Sequence, residues 1–189
     1  MNFLKSETLQ CLINAFVGES IAVNKYTIYA KISKKENLNI VSDIFWETVE
    51  NEREHSNLFY KEIPNGIYTP KAEYNFFIGN TYENLISSAN AEKEEWEIIY
   101  KNSSQIAKAE GFEKLSLLFK NISEIEKRHS HRFSVLVDNL NNDTLFKKPE
   151  ISQWICTKCG HTHIGKSAPC VCPVCSHEQN YFKLFSEKI

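Results

Sequence analysis

The sequence has no strong excess of charge of either sign, no long apolar run and no secretory leader. Its formal net charge is −2 over 189 residues, which gives no bulk attraction for nucleic acid or an anionic membrane. No apolar stretch reaches the roughly 18 residues that a membrane-spanning helix needs. The first residues, MNFLKSETLQ, do not join a basic segment to an apolar one. These absences favour a soluble cytoplasmic protein with one sizeable core.

Cysteine is scarce outside one short segment, which argues against a disulfide framework. Five of the six cysteines fall between residues 156 and 175, and four of them form two Cys-x-x-Cys pairs, the spacing of a metal site. Cys11 lies in an apolar stretch and is interpreted as a core residue. Cys170 is not expected to be a ligand, because four better-spaced thiols already complete a tetrahedral set.

Apolar residues that recur at intervals of three and four predict four helices. The helices are predicted over residues 3–33, 37–62, 81–109 and 112–140, with a longer connection over 65–79. One long crossover between two helical hairpins is typical of ferritin-like four-helix bundles. We therefore predict a mainly α protein, with a four-helix bundle at 1–142, a linker at 143–151 and a small four-cysteine metal domain at 152–189.

Carboxylate and imidazole side chains recur as two matched sets on the apolar stripes of these helices. The first set is Glu19 with Glu52-x-x-His55, and the second is Glu92 with Glu126-x-x-His129. Glu52 is seven residues from both Phe45 and Phe59, so all three face the same way. Burying an ionised carboxylate without compensation costs several kcal/mol, and no cluster of lysine or arginine shares these stripes. Two metal cations solve this problem, and oxygen-rich ligation with some nitrogen suits iron or manganese.

Three further residues are candidates for the same site. Glu95 stands three residues after Glu92 and faces roughly inward, so it is either a further ligand or an exposed acid. Tyr26 and Tyr100 are placed to hydrogen-bond a ligand carboxylate and so support it. Each is equally interpretable as a core aromatic with a satisfied hydroxyl.

The cysteine pairs Cys156-x-x-Cys159 and Cys172-x-x-Cys175 are spaced to wrap one tetrahedral metal. The spacing does not choose between zinc and iron. A domain this short cannot hold itself together by apolar burial, so the metal should stabilise its fold. An oxygen-reactive bundle in the same chain needs electrons, which favours a one-electron iron centre over zinc.

These segments resemble rubrerythrin over essentially the whole chain. The resemblance implies a ferritin-like bundle followed by a rubredoxin-like domain. It is carried by Gly18-Glu-Ser20 with Tyr26, Glu52-Arg-Glu-His55, Glu92-Lys-Glu-Glu95-Trp96, Glu126-Lys-Arg-His129, Trp154-Ile-Cys-Thr-Lys-Cys-Gly160 and Cys172-Pro-Val-Cys175.

The resemblance also implies a role for each candidate ligand in a two-iron site. Glu52 and Glu126 would bridge the irons. Glu19 and His55 would serve one iron, and Glu92 and His129 the other. In the family the iron on the Glu19 side exchanges a carboxylate at the Glu95 position for the imidazole at the His55 position when the redox state changes.

The activity implied by the resemblance is reduction of hydrogen peroxide to water, as a defence against oxidative stress. Electrons would pass from NAD(P)H through a separate reductase, with or without rubredoxin, to the iron–tetrathiolate centre and on to the diiron site. A homodimer or a tetramer is expected, in which one chain's four-cysteine centre approaches another chain's diiron site.

Two other functions remain open at this stage. A ferroxidase of the ferritin kind would oxidise and store iron, but it needs a cage-sized assembly and has no use for the four-cysteine module. In a non-enzymatic protein, the module would be a zinc ribbon and the bundle a scaffold. Size-exclusion chromatography distinguishes the first from a peroxidase. A visible spectrum distinguishes the second, because oxidised iron–tetrathiolate is red and zinc is colourless.

Overall fold

The structure is a computed structural model that describes residues 2–185. It confirms the predicted fold class, a helical bundle followed by a small sheet that carries the four cysteines. The helices are α1 (Glu7–Lys35), α2 (Asn39–Glu62), α3 (Thr81–Glu94), α4 (Tyr100–Ala109) and α5 (Glu113–Asn141). A π-helical segment, Glu95–Ile99, joins α3 to α4, so the three together form the third rod of the bundle.

The first two helices begin later than predicted, for local reasons. The side chain of Ser6 accepts a hydrogen bond from the Leu9 N–H and caps α1, so Phe3–Lys5 is a separate 3₁₀ turn. Asn37 has a φ of 61°, and this left-handed residue reverses the chain before α2. Periodicity does not detect such caps and turns.

The long connection between the two hairpins is fastened to α1. The Lys71 N–H donates to Asn14 Oδ1 at 2.8 Å, and the Tyr74 hydroxyl donates to the Asn14 carbonyl at 3.0 Å. Further along, the Tyr29 hydroxyl donates to the Phe77 carbonyl at 2.6 Å. The connection therefore lies against the bundle and forms part of the wall beside the buried carboxylates.

The bundle interior consists of two apolar clusters. One contains Tyr26, Phe45 and Phe133, and the other contains Phe59 and Phe119. Each inward stripe passes from one cluster to the other through a glutamate, as α2 does from Val49 through Glu52 to Phe59. Close packing on both sides keeps water away from the carboxylates and raises the cost of leaving them unpaired.

A three-stranded antiparallel sheet forms the C-terminal unit, with strand order β2-β1-β3. Its strands are β1 (Lys147–Cys156), β2 (Thr162–Ser167) and β3 (Phe182–Leu184). Trp154 and Phe182 are buried at its centre. Strand β1 begins inside the segment predicted as a linker, and the domain boundaries themselves stay a prediction. None of the helices in the described part of the chain is both long and apolar enough to cross a membrane.

Candidate metal centres

Six of the seven predicted carboxylate and imidazole ligands meet at one place in the bundle. They form two overlapping groups whose nitrogen and oxygen atoms lie within 4.8 Å of one another. Two glutamates, Glu52 and Glu126, belong to both groups. The first group adds Glu19 and His55, and the second adds Glu92 and His129. All six side chains are buried, so the helices bring together two adjacent ligand sets with two shared carboxylates.

The two imidazoles face the shared carboxylates in matching ways. His55 Nδ1 lies 3.0 Å from Glu52 Oε2 and 2.8 Å from Glu126 Oε1. His129 Nδ1 lies 3.0 Å from Glu52 Oε1 and 2.7 Å from Glu126 Oε2. The unshared acids are farther away, with Glu19 at 3.9 Å from His55 and Glu92 at 3.8 Å from His129. Each shared carboxylate therefore presents one oxygen to each half of the site.

Unpartnered polar atoms show that this donor set fits metal ions. Within residues 2–185, five carboxylate oxygens and one imidazole nitrogen of the cluster are buried without a hydrogen bond. Buried polar atoms are rarely left in this state. The six atoms are Glu19 Oε2, Glu52 Oε1, Glu92 Oε2, both Glu126 oxygens and His129 Nδ1. They surround the same space, which two cations would fill and neutralise.

The pKa values of the glutamates are consistent with the same excess of negative charge in the cluster. Burial raises the pKa of Glu19 far above its usual range, and the charges of Glu52 and Glu126 raise it further. Burial and the charge of Glu52 raise the pKa of Glu92 to about 8. Burial also acts to raise the pKa of Glu52, but the close imidazoles of His129 and His55 outweigh it, so that pKa is lowered.

Burial and the neighbouring charges act in opposite directions on the pKa values of the two imidazoles. Burial alone would lower their pKa values, but the close carboxylates of Glu126 and Glu52 raise the pKa of His55 to about 9 and that of His129 to about 12. In the absence of metal, the cluster holds protons where cations would otherwise bind.

Without bound metal, the folded chain should therefore become less stable as the pH rises. Glu92 has a pKa of about 8 when folded, against an ordinary value of 4.5. Its contribution to the free energy of unfolding is complete below pH 4.5 and is lost as the pH rises through 8. His55, raised from 6.5 to about 9, contributes below 6.5 and loses that contribution as the pH rises through 9.

Both groups act with the same sign, so the Tm of the metal-free chain should drop by at least about 4 °C between pH 6 and 9. Calorimetry of the metal-free and metal-loaded chains checks this. The loaded chain should change less, because cations replace the protons. A metal-free chain that is more stable at pH 9 than at pH 6 would contradict the expectation.

Each unshared glutamate accepts a hydrogen bond from a buried tyrosine. The Tyr26 hydroxyl donates to Glu92 Oε1, and the Tyr100 hydroxyl donates to Glu19 Oε1. Both phenols are almost completely buried. Burial and the neighbouring carboxylate raise the pKa of each tyrosine well above its usual range, so each keeps its proton and remains a donor. Each bond leaves the other oxygen of its carboxylate free for a metal.

Glu95 lies outside both ligand groups and is only partly buried. It is the first residue of the π-helical segment. Burial and the charges of Glu92 and Glu126 nevertheless raise its pKa well above the usual range, so its carboxyl group lies in the field of the cluster. It lines a cavity of about 130 Å³ together with Gly18, Ala22 and Tyr100. Glu95 therefore lies beside the ligand groups, at the wall of this cavity.

The π-helical segment corrects the sequence prediction of one continuous helix over 81–109. In a continuous helix, Ile99 would follow Glu92 and Trp96 on the inward stripe at intervals of four and three, but Ile99 is 42% exposed and Tyr100 is buried. A π turn contains an extra residue, which moves every later side chain around the helix. The extra residue brings the Tyr100 hydroxyl to Glu19. π-bulges of this kind frequently occur at functional sites.

The four cysteines predicted to share a metal also meet. Their Sγ atoms all lie within 4.8 Å of one another, with Cys156 and Cys175 at 3.7 Å and Cys159 and Cys172 at 3.6 Å. Four sulfurs at about 2.3 Å from a central metal would be about 3.8 Å apart. The observed separations match this tetrahedron and are far too long for disulfides.

Two similar turns present these thiols. The Gly160 N–H donates to the Cys156 carbonyl, and the Ser176 N–H donates to the Cys172 carbonyl. Gly160 and Ser176 both have positive φ values, 76° and 59°, which close each turn tightly. Cys170 is exposed and outside the cluster, and Cys11 is half-buried in the bundle.

One residue that contacts the cluster had no signal in the sequence. Asn51 Oδ1 lies 3.1 Å from His129 Nε2, on the side of the ring that faces away from the carboxylates. Asn51 directly precedes Glu52, but no pattern singles it out, because the contact joins two helices 78 residues apart.

Comparisons with known proteins agree with this architecture. The rubrerythrin family model matches residues 10–137, and the model for the rubrerythrin rubredoxin-like domain matches residues 154–183. Rubrerythrin-1 of Clostridium acetobutylicum is 40% identical over 187 residues, covering 96% of each chain. Rubrerythrin of Porphyromonas gingivalis is 35% identical, covering 94% of this chain and 90% of its own.

A solved structure has the same overall fold. The mixed-valence state of nigerythrin superposes with a TM-score of 0.63 at 25% identity, covering 96% of this chain and 90% of that chain. The family models together span both modules, and the buried glutamate–histidine cluster and the four thiols lie within them. The chain therefore belongs to the rubrerythrin family, with a diiron carboxylate site in its bundle and a rubredoxin-like four-cysteine site after it.

Proposed function

We propose that this chain is a non-haem diiron peroxidase that reduces hydrogen peroxide to water as a defence against oxidative stress. The observation that carries the proposal is the cluster of buried carboxylates and imidazoles with unpartnered atoms, in the same chain as a tetrahedral set of thiols. A chain that contains both a site for two irons and a site for one-electron transfer is suited to repeated two-electron reduction of peroxide. Members of the family are peroxide-reducing oxidoreductases.

We assign the ligands from the geometry and the resemblance together. Glu52 and Glu126 would hold both irons, because each presents an oxygen to each imidazole. The remaining ligands divide between the halves, Glu19 and His55 for one and Glu92 and His129 for the other. Cys156, Cys159, Cys172 and Cys175 would hold the third iron, and zinc is a substitute there.

The bound irons would supply Lewis acidity and the two electrons that break the O–O bond of peroxide. The protein positions the ligands of the irons, excludes water from the site and supplies protons. Tyr26 and Tyr100 fix one oxygen of Glu92 and of Glu19 through their hydroxyl hydrogens. The balanced reaction also consumes two protons for each peroxide. Glu95 is a suitable proton carrier, because its pKa is raised by burial and neighbouring charges and it lines the 130 Å³ cavity beside the site.

The position of the four-cysteine domain supports a homodimer or a larger assembly. Within one chain this domain contacts the end of the bundle where α2 begins, through Asn180 and Asn37 and through Lys34 stacked on Tyr181. Asn39 and Glu52 are 13 residues apart, or about 20 Å along the helix axis. A second copy that brings its four-cysteine domain nearer to the carboxylates would shorten the electron path.

Electrons would come from NAD(P)H through a separate reductase, with or without rubredoxin, and the proposed location is cytoplasmic. Steady-state assays with a rubredoxin reductase, rubredoxin and the iron-loaded chain test the function. One NAD(P)H should be oxidised for each peroxide consumed. The proposal fails if a chain with all three irons bound, whose four-cysteine iron the reductase reduces, does not consume peroxide.

A further inference from the structure

The two imidazoles of the diiron site are held differently on their outer sides. His129 Nε2 lies 3.1 Å from Asn51 Oδ1. Across residues 2–185, His55 Nε2 has no hydrogen-bonding partner within the protein. Both rings are 4% exposed, so the difference does not come from burial. Among these residues, the outer nitrogen of the His129 ring therefore has a protein partner and that of the His55 ring has none.

The two Glu-x-x-His motifs differ at the position before the glutamate, although the sequence does not show what that position contacts. Asn51 directly precedes the Glu52-x-x-His55 motif on α2, and the matching position before Glu126-x-x-His129 on α5 is Ile125. An isoleucine side chain has neither a donor nor an acceptor. The two Glu-x-x-His motifs are related like the two halves of a repeat, so Ile125 is the residue that would correspond to Asn51. Ile125 cannot accept from His55 the hydrogen bond that Asn51 accepts from His129.

The contact has a direct consequence for the proton on the His129 ring. An amide oxygen only accepts hydrogen bonds, so the bond to Asn51 requires the proton on Nε2. In the neutral imidazole, the lone pair is then on Nδ1. That atom lies 2.7 Å from Glu126 and 3.0 Å from Glu52, where a metal ion would bind. An outer partner of this kind orients a ligand and makes it more basic.

We propose that Asn51 is the positioning residue of the His129 half of the site, and that through this bond the His129 half holds its metal more tightly than the His55 half. The inference rests on the proposed assignment of His129 as a metal ligand. It goes beyond that assignment by giving the cause of unequal binding and the residue responsible.

The expected size of the effect follows from the surroundings of Asn51. Asn51 and His129 line a cavity of about 230 Å³ with Glu47 and Arg132. If the amide is removed, a water molecule in this cavity takes its place as acceptor, but it holds the ring less firmly. The affinity of the tighter metal should fall by about 10- to 100-fold, the usual range for loss of such a partner.

Chelator titration of the metal-loaded full chain tests the proposal. Wild type should release its two bundle metals in two steps. In Asn51→Leu, the second, tighter step should move to a 10- to 100-fold lower free-chelator concentration and approach the first. Asn51→Asp keeps an acceptor oxygen and should retain two separate steps. Asn57→Leu is the matched control, since Asn57 is exposed on the same helix and its loss should change nothing.

Nitrogen-15 NMR of the zinc-loaded chain reads the ring proton without any activity measurement. Wild type and Asn51→Asp should each show a slowly exchanging Nε2–H on His129, and Asn51→Leu should lose it. The proposal is overturned if Asn51→Leu releases its metals as wild type does, or if the His129 proton is on Nδ1. If the wild-type bundle binds no pair of metals, the proposed function itself fails, which is a separate outcome.

Discussion

Replacing Glu52 by alanine should abolish peroxide turnover and empty the diiron site. Glu52 presents one oxygen to each imidazole, so its loss removes a ligand from both metals at once. Turnover should fall by more than about 100-fold, because even residues that only support a ligand cost 10- to 100-fold. Iron bound in the bundle should drop below one per chain, as measured by elemental analysis alongside the peroxidase assay.

Two comparisons make this result specific. Glu50→Ala is the matched control, because Glu50 is on the same helix but exposed and paired with Arg53. This variant should keep both iron and turnover. The red absorption of the four-cysteine iron should survive in both variants, since that site is built from another part of the chain. A Glu52→Ala protein that loses iron but turns over at the full rate would show that the diiron assignment is wrong.

Replacing Cys159 by alanine should block electron delivery from the reductase but leave the reaction of the reduced bundle with peroxide intact. Cys159 is an exposed member of the thiol cluster, and three thiols do not complete a tetrahedral site. The red chromophore should disappear, and turnover supported by NAD(P)H and the reductase should fall by more than about 100-fold. The bundle should still be oxidised once by peroxide after chemical reduction, as followed by stopped-flow absorbance.

Cys170→Ala is the control for this experiment. Cys170 is also exposed but has no place in the cluster, so its loss should leave the colour and the turnover unchanged. Because the apolar clusters beside the diiron site are formed by bundle residues, circular dichroism of Cys159→Ala should retain the helical signal. Full reductase-driven turnover without the chromophore would disprove electron delivery through the four-cysteine iron.

The sequence predicted the ligand types well, because those residues obey a simple spacing rule. Glu-x-x-His places both side chains on one helix face, and the phenylalanines seven residues either side of Glu52 mark that face as buried. The Cys-x-x-Cys pairs depend on short local turns in the same way. The fold class followed from four apolar stripes and one long connection, all of which are properties of single segments.

The features that the sequence did not predict depend on contacts between segments. Periodicity placed Ile99 inside, whereas the π turn places Tyr100 there. One extra residue in a helical turn changes hydrogen bonding without changing composition. Tyr26 and Tyr100 were equally acceptable as core aromatics until their hydroxyl partners, Glu92 and Glu19, were located on other helices.

The sequence by itself therefore determined the two sets of metal ligands, through residue types repeated at helical and turn spacing. Only the tertiary structure decided which partners the side chains of the two halves of the diiron site contact. Glu95 lines a cavity outside the ligand groups, and among residues 2–185 Asn51 contacts the outer nitrogen of His129 whereas that of His55 has no hydrogen-bonding partner. The physical reason is that spacing fixes which face a side chain occupies, whereas its partner is fixed by the packing of helices far apart in the chain.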